Sequence, residues 1–327
     1  MSAGAAIIVI GTSAGGVEVL RKIIAELSPN LDAAVFITLH IGTHPSELPW
    51  ILGRIDTLPA KHAVHGDEIR SGHIYVAPPD HHLTVEPGRI ILTKGPRENM
   101  ARPAIDPMFR SAARAYGNQV IGVILTGGLN DGTAGLFEVK AQGGIAIVQD
   151  PLDAHSKSMP ESAISHVAVD YILPASEIGV RLTQLVAARA KRAAPKKASF
   201  ATGDAEENGL TAQFTLNPPI AVTCPDCGGA LRQSRLGSLT QFSCHIGHVY
   251  TAEIMLAAQF VAMERFVEQA MRSLSERAEM CRVMAEERAD RPNGSASEWE
   301  AAMNEALEQT QPLRDLLTRV WLHPDRT

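Results

Sequence analysis

Only four cysteines occur in the 327 residues, all of them in the C-terminal third. That is too few for the disulfide framework of a small secreted fold. Two of them form a Cys-x-x-Cys, which in a chain without a signal peptide points to a metal site. Basic charge is short as well: 30 Lys and Arg face 36 Asp and Glu, a formal charge of −6. Binding dominated by phosphate contacts is therefore disfavoured, and no nucleic-acid partner is expected. Long apolar runs are missing too. Stretches such as Ala33 to Leu39 fall far short of the roughly 20 residues that span a bilayer, and the N-terminus carries no basic leader. The expectation is a soluble cytoplasmic protein with no direct membrane insertion. What is present is a globular composition, 45% apolar and 20% charged, long enough for two domains and a sizeable core.

Short apolar runs rich in β-branched residues recur at residues 5–10, 34–39, 120–125 and 145–148. Each lies near a helical pattern, at 18–26, 107–116 or 133–142. Strands alternating with helices predict an α/β fold with a doubly wound, mostly parallel sheet. Between them, residues 62–95 carry Pro78-Pro79-Asp80 and Pro87-Gly88 among short apolar stretches at 73–77, 83–85 and 90–92. Turns this closely spaced predict an antiparallel hairpin appendage. The pattern fades after a helix near 177–192. Residues 191–220 then combine a basic cluster (Lys191, Arg192, Lys196, Lys197), an acidic one (Asp204, Glu206, Glu207) and Asn217-Pro218-Pro219, which reads as a flexible linker. The expected organisation is thus a catalytic-type domain over 1–190, a linker over 191–220, a cysteine-containing ribbon over 221–251 and a helical hairpin over 252–327. In the first of its helices Leu256, Phe260, Met263, Val267, Ala270 and Leu274 alternate in steps of four and three, a packing seam.

Gly11-Thr12-Ser13-Ala14-Gly15 fits Gly-x-Ser-x-Gly and sits between a buried strand and a helix, where that pattern can lift a serine Oγ to the top of a sheet. The following helix N-terminus would supply N–H groups to a developing oxyanion. Taken alone, the loop is equally compatible with a phosphate or dinucleotide turn, although Ser13 stands where Gly-x-Gly-x-x-Gly needs its second glycine. For that reading Asp32 is the available acidic residue. His40 follows the second apolar strand, so it lies at the same end of the sheet, within reach of a serine on the neighbouring strand. Asp131, in Leu125-Thr126-Gly127-Gly128-Leu129-Asn130-Asp131-Gly132, follows a third buried strand; it could serve only as a helix N-cap. Together the three form a constellation of triad types at three strand ends. Their order, Ser–His–Asp, differs from that of the α/β-hydrolases.

The run from Ile10 to Gly16, the Leu39-His40 strand end, Val76-Ala77-Pro78-Pro79-Asp80-His81-His82-Leu83, the stretch from Arg102-Pro103-Ala104 through Phe109-Arg110 to Ala113, and Leu125 to Gly132 occur in collinear order. Together they resemble the catalytic domain of chemotaxis protein-glutamate methylesterases over about residues 4–190. The resemblance implies that Ser13 is the nucleophile, His40 the base and Asp131 its orienter. It also implies hydrolysis of glutamyl methyl esters on a methylated chemoreceptor or similar signalling protein, with glutamine deamidation as a companion activity and no cofactor for catalysis. The chain departs from the family at Gly128, where methionine is usual, and at Ala14, where threonine often follows the nucleophile. Typical members carry a receiver domain ahead of the esterase, and the expectation here is an esterase domain without one. Two other readings remain beside this one: a nucleotide-binding α/β protein, and a zinc-ribbon adaptor with an inactive esterase domain.

The ribbon supplies a second candidate site. Cys224-Pro225-Asp226-Cys227 is followed after sixteen residues by Cys244-His245-Ile246-Gly247-His248, so the expected structural zinc would take Cys224, Cys227, Cys244 and either His248 or His245. Cys281, on the helical seam, is expected to be a buried small hydrophobe. His81 and His82 are candidates to line the cleft, and Arg102 and Arg110 to anchor an acidic substrate. The long linker predicts a C-terminal unit with freedom of position, suited to recruitment.

Overall fold

The computed structural model describes residues 5–41, 43–192, 220–289 and 296–319. Most of the linker, residues 193–219, lies outside them. The first strand, β1 (Ala6–Thr12), is buried along its whole length. Its side chains alternate between two cores, Ala6, Ile8 and Ile10 facing one layer and Ile7 and Val9 the other. A strand sealed on both faces needs apolar residues at every position, which is why the run is continuous rather than alternating. Each fully buried isoleucine contributes roughly 1.5–3 kcal/mol over an exposed one. Helix α1 (Gly16–Ala25) and β2 (Ala33–Leu39) follow, the latter also buried throughout. A short helix α2 (Leu48–Gly53), β3 (Ala60–His62) and β4 (Ile74–Val76) complete one half of the sheet.

The hairpin is smaller than the turn spacing predicts. Only β5 (His82–Glu86) and β6 (Arg89–Thr93) pair antiparallel, whereas β4 pairs parallel to β2. Its three residues are all buried, so the packing demands of the central sheet override the local turn signal. Then come α3 (Ile105–Tyr116), β7 (Val120–Ile124), α4 (Thr133–Ala141), β8 (Ile145–Gln149), α5 (Ser158–His166), β9 (Tyr171–Leu173) and α6 (Ala175–Arg192). The main sheet is seven-stranded in the order β3-β4-β2-β1-β7-β8-β9, with every pair parallel. Strands β2 to β4 therefore lie on one side of β1, with β4 inserted between β2 and the edge strand β3, and the strands from β7 onward lie on the other. The crevice beyond the carboxyl ends of β1 and β7 is the topological switch point, the usual place for a site in such a sheet.

Beyond the linker, β10 (Leu231–Leu236), β11 (Leu239–Cys244) and β12 (Val249–Thr251) form an antiparallel ribbon. The chain divides into two compact units, residues 1–255 and 256–327, so the ribbon belongs with the large sheet. The Asn99 N–H donates to the Val249 carbonyl at 2.8 Å, and Glu98 and Val249 form a parallel bridge. This pairing differs from the positional freedom that linker length alone predicts.

Helices α7 (Ala252–Ala289) and α8 (Ala296–Thr318) make up nearly all the remainder. On α7 the buried stripe runs through Ala258, Ala262, Val267, Ala278, Cys281 and Ala285. Val267 and Cys281 are buried as expected, but the other residues of the expected seam are not. Leu256 and Ala270 are exposed and Phe260, Met263 and Leu274 only partly buried. Small side chains line the covered face, where the sequence pattern had favoured the large ones.

Candidate active site and metal centre

The turn after β1 is built for close approach. Gly15 takes a left-handed φ of 77° and caps α1, and a Cβ there would come within 2.7 Å of the His155 side chain. The loop is tied to the strand end of β7. Ser13 N–H and Thr12 Oγ1 both donate to the Thr126 carbonyl, at 3.0 and 2.9 Å, and Thr126 Oγ1 donates to the Ala14 carbonyl at 2.9 Å. Thr126 is itself held by buried Gln149, whose Oε1 accepts its N–H at 2.9 Å. Gly127 must be glycine, because a Cβ would stand 2.9 Å from Ser13 Cβ and collide with Met159 Sδ. Its N–H is taken by the Ser156 carbonyl. The N–H of Gly128 has no backbone partner among the described residues.

His40 arrives on the adjacent strand in register: Thr12 pairs with Leu39, and the His40 N–H donates to the Thr12 carbonyl at 3.3 Å. Ser13, Ala14, Val17 and Glu18 line one open cleft with Leu39 and His40. Among the described residues no hydrogen bond joins the Ser13 hydroxyl to His40, as is common in unliganded sites whose contacts tighten around substrate. The His40 Nε2 lies 2.7 Å from Asp131 Oδ2, which leaves Nδ1 as the nitrogen available to the cleft. The structure thus brings Ser13, His40 and Asp131 to the switch point.

Asp131 does not cap α4, whose N-cap is Gly132 without a side-chain bond. Instead it accepts from the N-terminus of α3: Ile105 N–H at 2.6 Å to Oδ2 and Asp106 N–H at 3.3 Å to Oδ1. Gly132 N–H at 3.0 Å and Asn99 Nδ2 at 2.8 Å also reach Oδ1. Burial alone would push this carboxyl up. The hydrogen bond and charge of His40, with the Ile105 and Asn99 donors, hold it below the ordinary carboxylate range. Buried Asp106 moves the other way, pushed well above that range by burial first and by the neighbouring Asp131 charge second. Asn99 stands between the two, its Nδ2 also donating to Asp106 Oδ2 at 2.8 Å. Sequence reasoning missed Asn99 and Asp106. Asn99 carries no motif, and Asp106 stands inside the stretch from Arg102 to Ala113 with nothing in the sequence to mark a role of its own.

Other candidates are occupied elsewhere. His82 is buried and accepts the Ala104 N–H at Nδ1 while its Nε2 donates to the Pro96 carbonyl. Burial keeps it neutral, and it braces the approach to α3. The His81 ring contacts the Pro79 carbonyl. Arg102 binds Asp80 and the Gly95 carbonyl, and Arg110 forms a two-pronged pair with Glu98. Asp32, the ribose-binding candidate, precedes β2 and lies beside Ala6, at the opposite end of the sheet from residues 11–16.

In the ribbon, Cys224 Sγ and His248 Nδ1 are 3.6 Å apart, Cys227 Sγ and Cys244 Sγ 3.6 Å, and Cys244 Sγ and His248 Nδ1 3.5 Å. Tetrahedral zinc, with bonds of about 2.0–2.3 Å, sets its ligand atoms roughly 3.3–3.8 Å apart. All four atoms lie within 4.8 Å of one another, so this Cys3His set fits a tetrahedral cation. His245 is outside it; its ring covers Gly229, where a Cβ would meet it at 2.4 Å. Tyr250 OH donates to Asp226 at 2.8 Å and stands 3.4 Å from Cys224 Sγ, an outer layer of the kind that orients metal ligands.

Residues 8–182 match the family model described as CheB methylesterase. A Leptospira interrogans relative, provisionally named for protein-glutamate methylesterase and protein-glutamine glutaminase activity, is 42% identical over 183 residues, covering 54% of this chain and 94% of its own. The protein-glutamate methylesterase/protein-glutamine glutaminase 1 of Syntrophus aciditrophicus is 40% identical over 182 residues, covering 55% of this chain and 52% of its own length. Among solved structures, the CheB methylesterase catalytic domain of Thermotoga maritima is similar with a TM-score of 0.53 and 36% identity, over 56% of this chain and 100% of that one.

Proposed function

The chain belongs to the CheB methylesterase family and is an enzyme of the protein-glutamate methylesterase class; from that premise we propose that Ser13, His40 and Asp131 act as its nucleophile, base and orienter. The observation that carries the reading is the 2.7 Å contact between His40 Nε2 and a buried, multiply hydrogen-bonded Asp131, one strand from the Ser13 loop. That contact fixes the proton on Nε2 and leaves Nδ1 basic toward the cleft.

In the first half-reaction Ser13 Oγ attacks the γ-ester carbonyl of a methylated glutamate while His40 Nδ1 takes the hydroxyl proton. The charge that develops on the carbonyl oxygen is met by the Gly128 N–H and by amides at the start of α1. Collapse breaks the bond to the methoxy oxygen. His40 returns the proton to it, and methanol departs from a glutamyl–Ser13 ester. In the second, His40 draws a proton from water, whose oxygen attacks that ester, and glutamate leaves as Ser13 is reprotonated. A glutamine side chain follows the same course with ammonia as the leaving group. Asp131 stays ionised throughout and stabilises the imidazolium.

The substrate is a methylated chemoreceptor or a related signalling protein. The Cys3His set of Cys224, Cys227, Cys244 and His248 holds a structural zinc, closed to substrate because all four positions are filled by protein. The test is methanol release from a glutamyl methyl ester peptide: the wild-type chain should turn over, and Ser13→Ala should not. Wild-type turnover by Ser13→Ala would overturn the assignment.

A further inference from the structure

Thr251 ends the ribbon's last strand and is completely buried. Its N–H donates to Asn99 Oδ1 at 3.2 Å and its hydroxyl to Asn130 Oδ1 at 2.5 Å. The carboxylate of Glu253 accepts from Asn130 Nδ2. The Val249 carbonyl, two residues earlier, accepts the Asn99 N–H. Residues outside the family-matched region thus grip two asparagines of the esterase domain, and both adjoin the triad aspartate. Asn130 precedes it in sequence. Asn99 divides the protons of its Nδ2 between Asp131 and Asp106.

The direction of Asn99's amide follows from its partners. Its oxygen needs a donor, and Thr251 N–H supplies one; its nitrogen then faces two carboxyl groups and gives one proton to each. Asn99 and Met100 both hold left-handed φ angles, 52° and 63°. Such conformations persist where the surroundings over-determine them, and the pairing with Val249 and Thr251 does so here. Release of that strand would leave the Asn99 oxygen unpaired, let its turn relax and free one side of the Asp131 carboxylate.

We propose that Thr251 is a positioning residue for ester hydrolysis: through Asn99 and Asn130 the ribbon sets the orientation in which Asp131 meets His40. The ribbon is then part of the esterase's working framework, not only a recruitment module. This rests on the assignment of Ser13, His40 and Asp131 given above. Among the residues that line the Ser13–His40 cleft none comes from the ribbon, so the ribbon's described link to the triad runs through Asn99 and Asn130.

The experiment uses the full chain with Thr251→Val, which keeps shape and backbone but removes the hydroxyl, and Thr251→Ser, which restores it. Turnover of a glutamyl methyl ester peptide is expressed per active site titrated with a fluorophosphonate, so that unfolded protein does not count. Amide exchange is followed over residues 97–101 and 129–132. Thr251→Val should lower kcat about tenfold with KM within about twofold, the effect of misplacing a catalytic group without touching substrate. Exchange over 129–132 should rise, with 97–101 still held by the retained backbone contacts of the ribbon, and Thr251→Ser should restore both kcat and exchange. An unchanged or faster kcat per site in Thr251→Val, or no rescue by Thr251→Ser, overturns the proposal while leaving the triad standing. A wild-type chain without Ser13-dependent turnover overturns both.

Discussion

Replacing Asp131 by asparagine should cost far more than the loss of one charge. The Asp131 oxygens face different sets of donors. Oδ2 meets His40 Nε2 and the Ile105 N–H, while Oδ1 meets Asn99 Nδ2 and the N–H groups of Asp106 and Gly132. An amide nitrogen in the Oδ1 place would oppose three donors, so the amide should settle with its nitrogen toward His40, where it opposes one backbone N–H. His40 Nε2 must then accept, and its proton moves to Nδ1, the atom that has to be basic toward Ser13. A histidine in the wrong tautomer with no counter-charge lowers kcat by about 10⁴, or about 5.4 kcal/mol of barrier. The misplaced N–H against Ile105 should also lower stability by roughly 1–3 kcal/mol. The assay is methanol release at substrate saturation, with denaturant unfolding in parallel to separate the two effects. A folded Asp131→Asn enzyme within tenfold of wild type would refute the tautomer argument.

Four further outcomes follow from the same geometry. Because triad members act as one unit, Ser13→Ala combined with His40→Ala should lose little activity beyond Ser13→Ala alone, measured on the same ester. Replacing Cys224, Cys227 or Cys244 by Ser, or His248 by Ala, should abolish the one zinc per chain expected from elemental analysis; His245→Ala should keep it. Asp106 has a folded-state value above its ordinary 3.8, so the stability it supplies is present at acid pH and lost as pH rises through the folded value. The stability of Asp106→Asn relative to wild type should therefore improve on going from acid to neutral pH in denaturant titrations. Asp131 has the opposite sign: its contribution is full above the ordinary value and falls only as pH drops through its lowered one.

How far the sequence carries is shown by particular residues. Strands β1 and β2 were legible because burial on both faces demands unbroken apolar runs, and α7 because its polar flanks bound a long helical pattern. The short strands β3 and β9 carry three residues each, too few for any period to show, and their places come from neighbours far along the chain. Ser13 and His40 could be read as candidates because each directly follows a buried strand, and Asp131 because it lies in the Gly-rich loop after a third. The partners of Asp131 could not: Asn99 sits in an irregular segment with no motif, and its contacts arrive from residues 106, 131, 249 and 251. The docking of the ribbon was hidden for a related reason. A polar, low-periodicity linker speaks of chain freedom, while the contacts that remove that freedom at the ribbon lie between single side chains and one short strand. On α7 the large apolar residues drew attention away from the alanines that line the covered face.

The central claim, that Ser13 is the nucleophile activated by the His40–Asp131 pair, is tested most directly by peptide mapping after reaction with a serine-directed fluorophosphonate. The expected result is a single adduct on Ser13 in the wild-type chain, formed far more slowly in Asp131→Asn and absent from Ser13→Ala. An adduct on another residue, or no adduct from an enzyme that releases methanol, would contradict it.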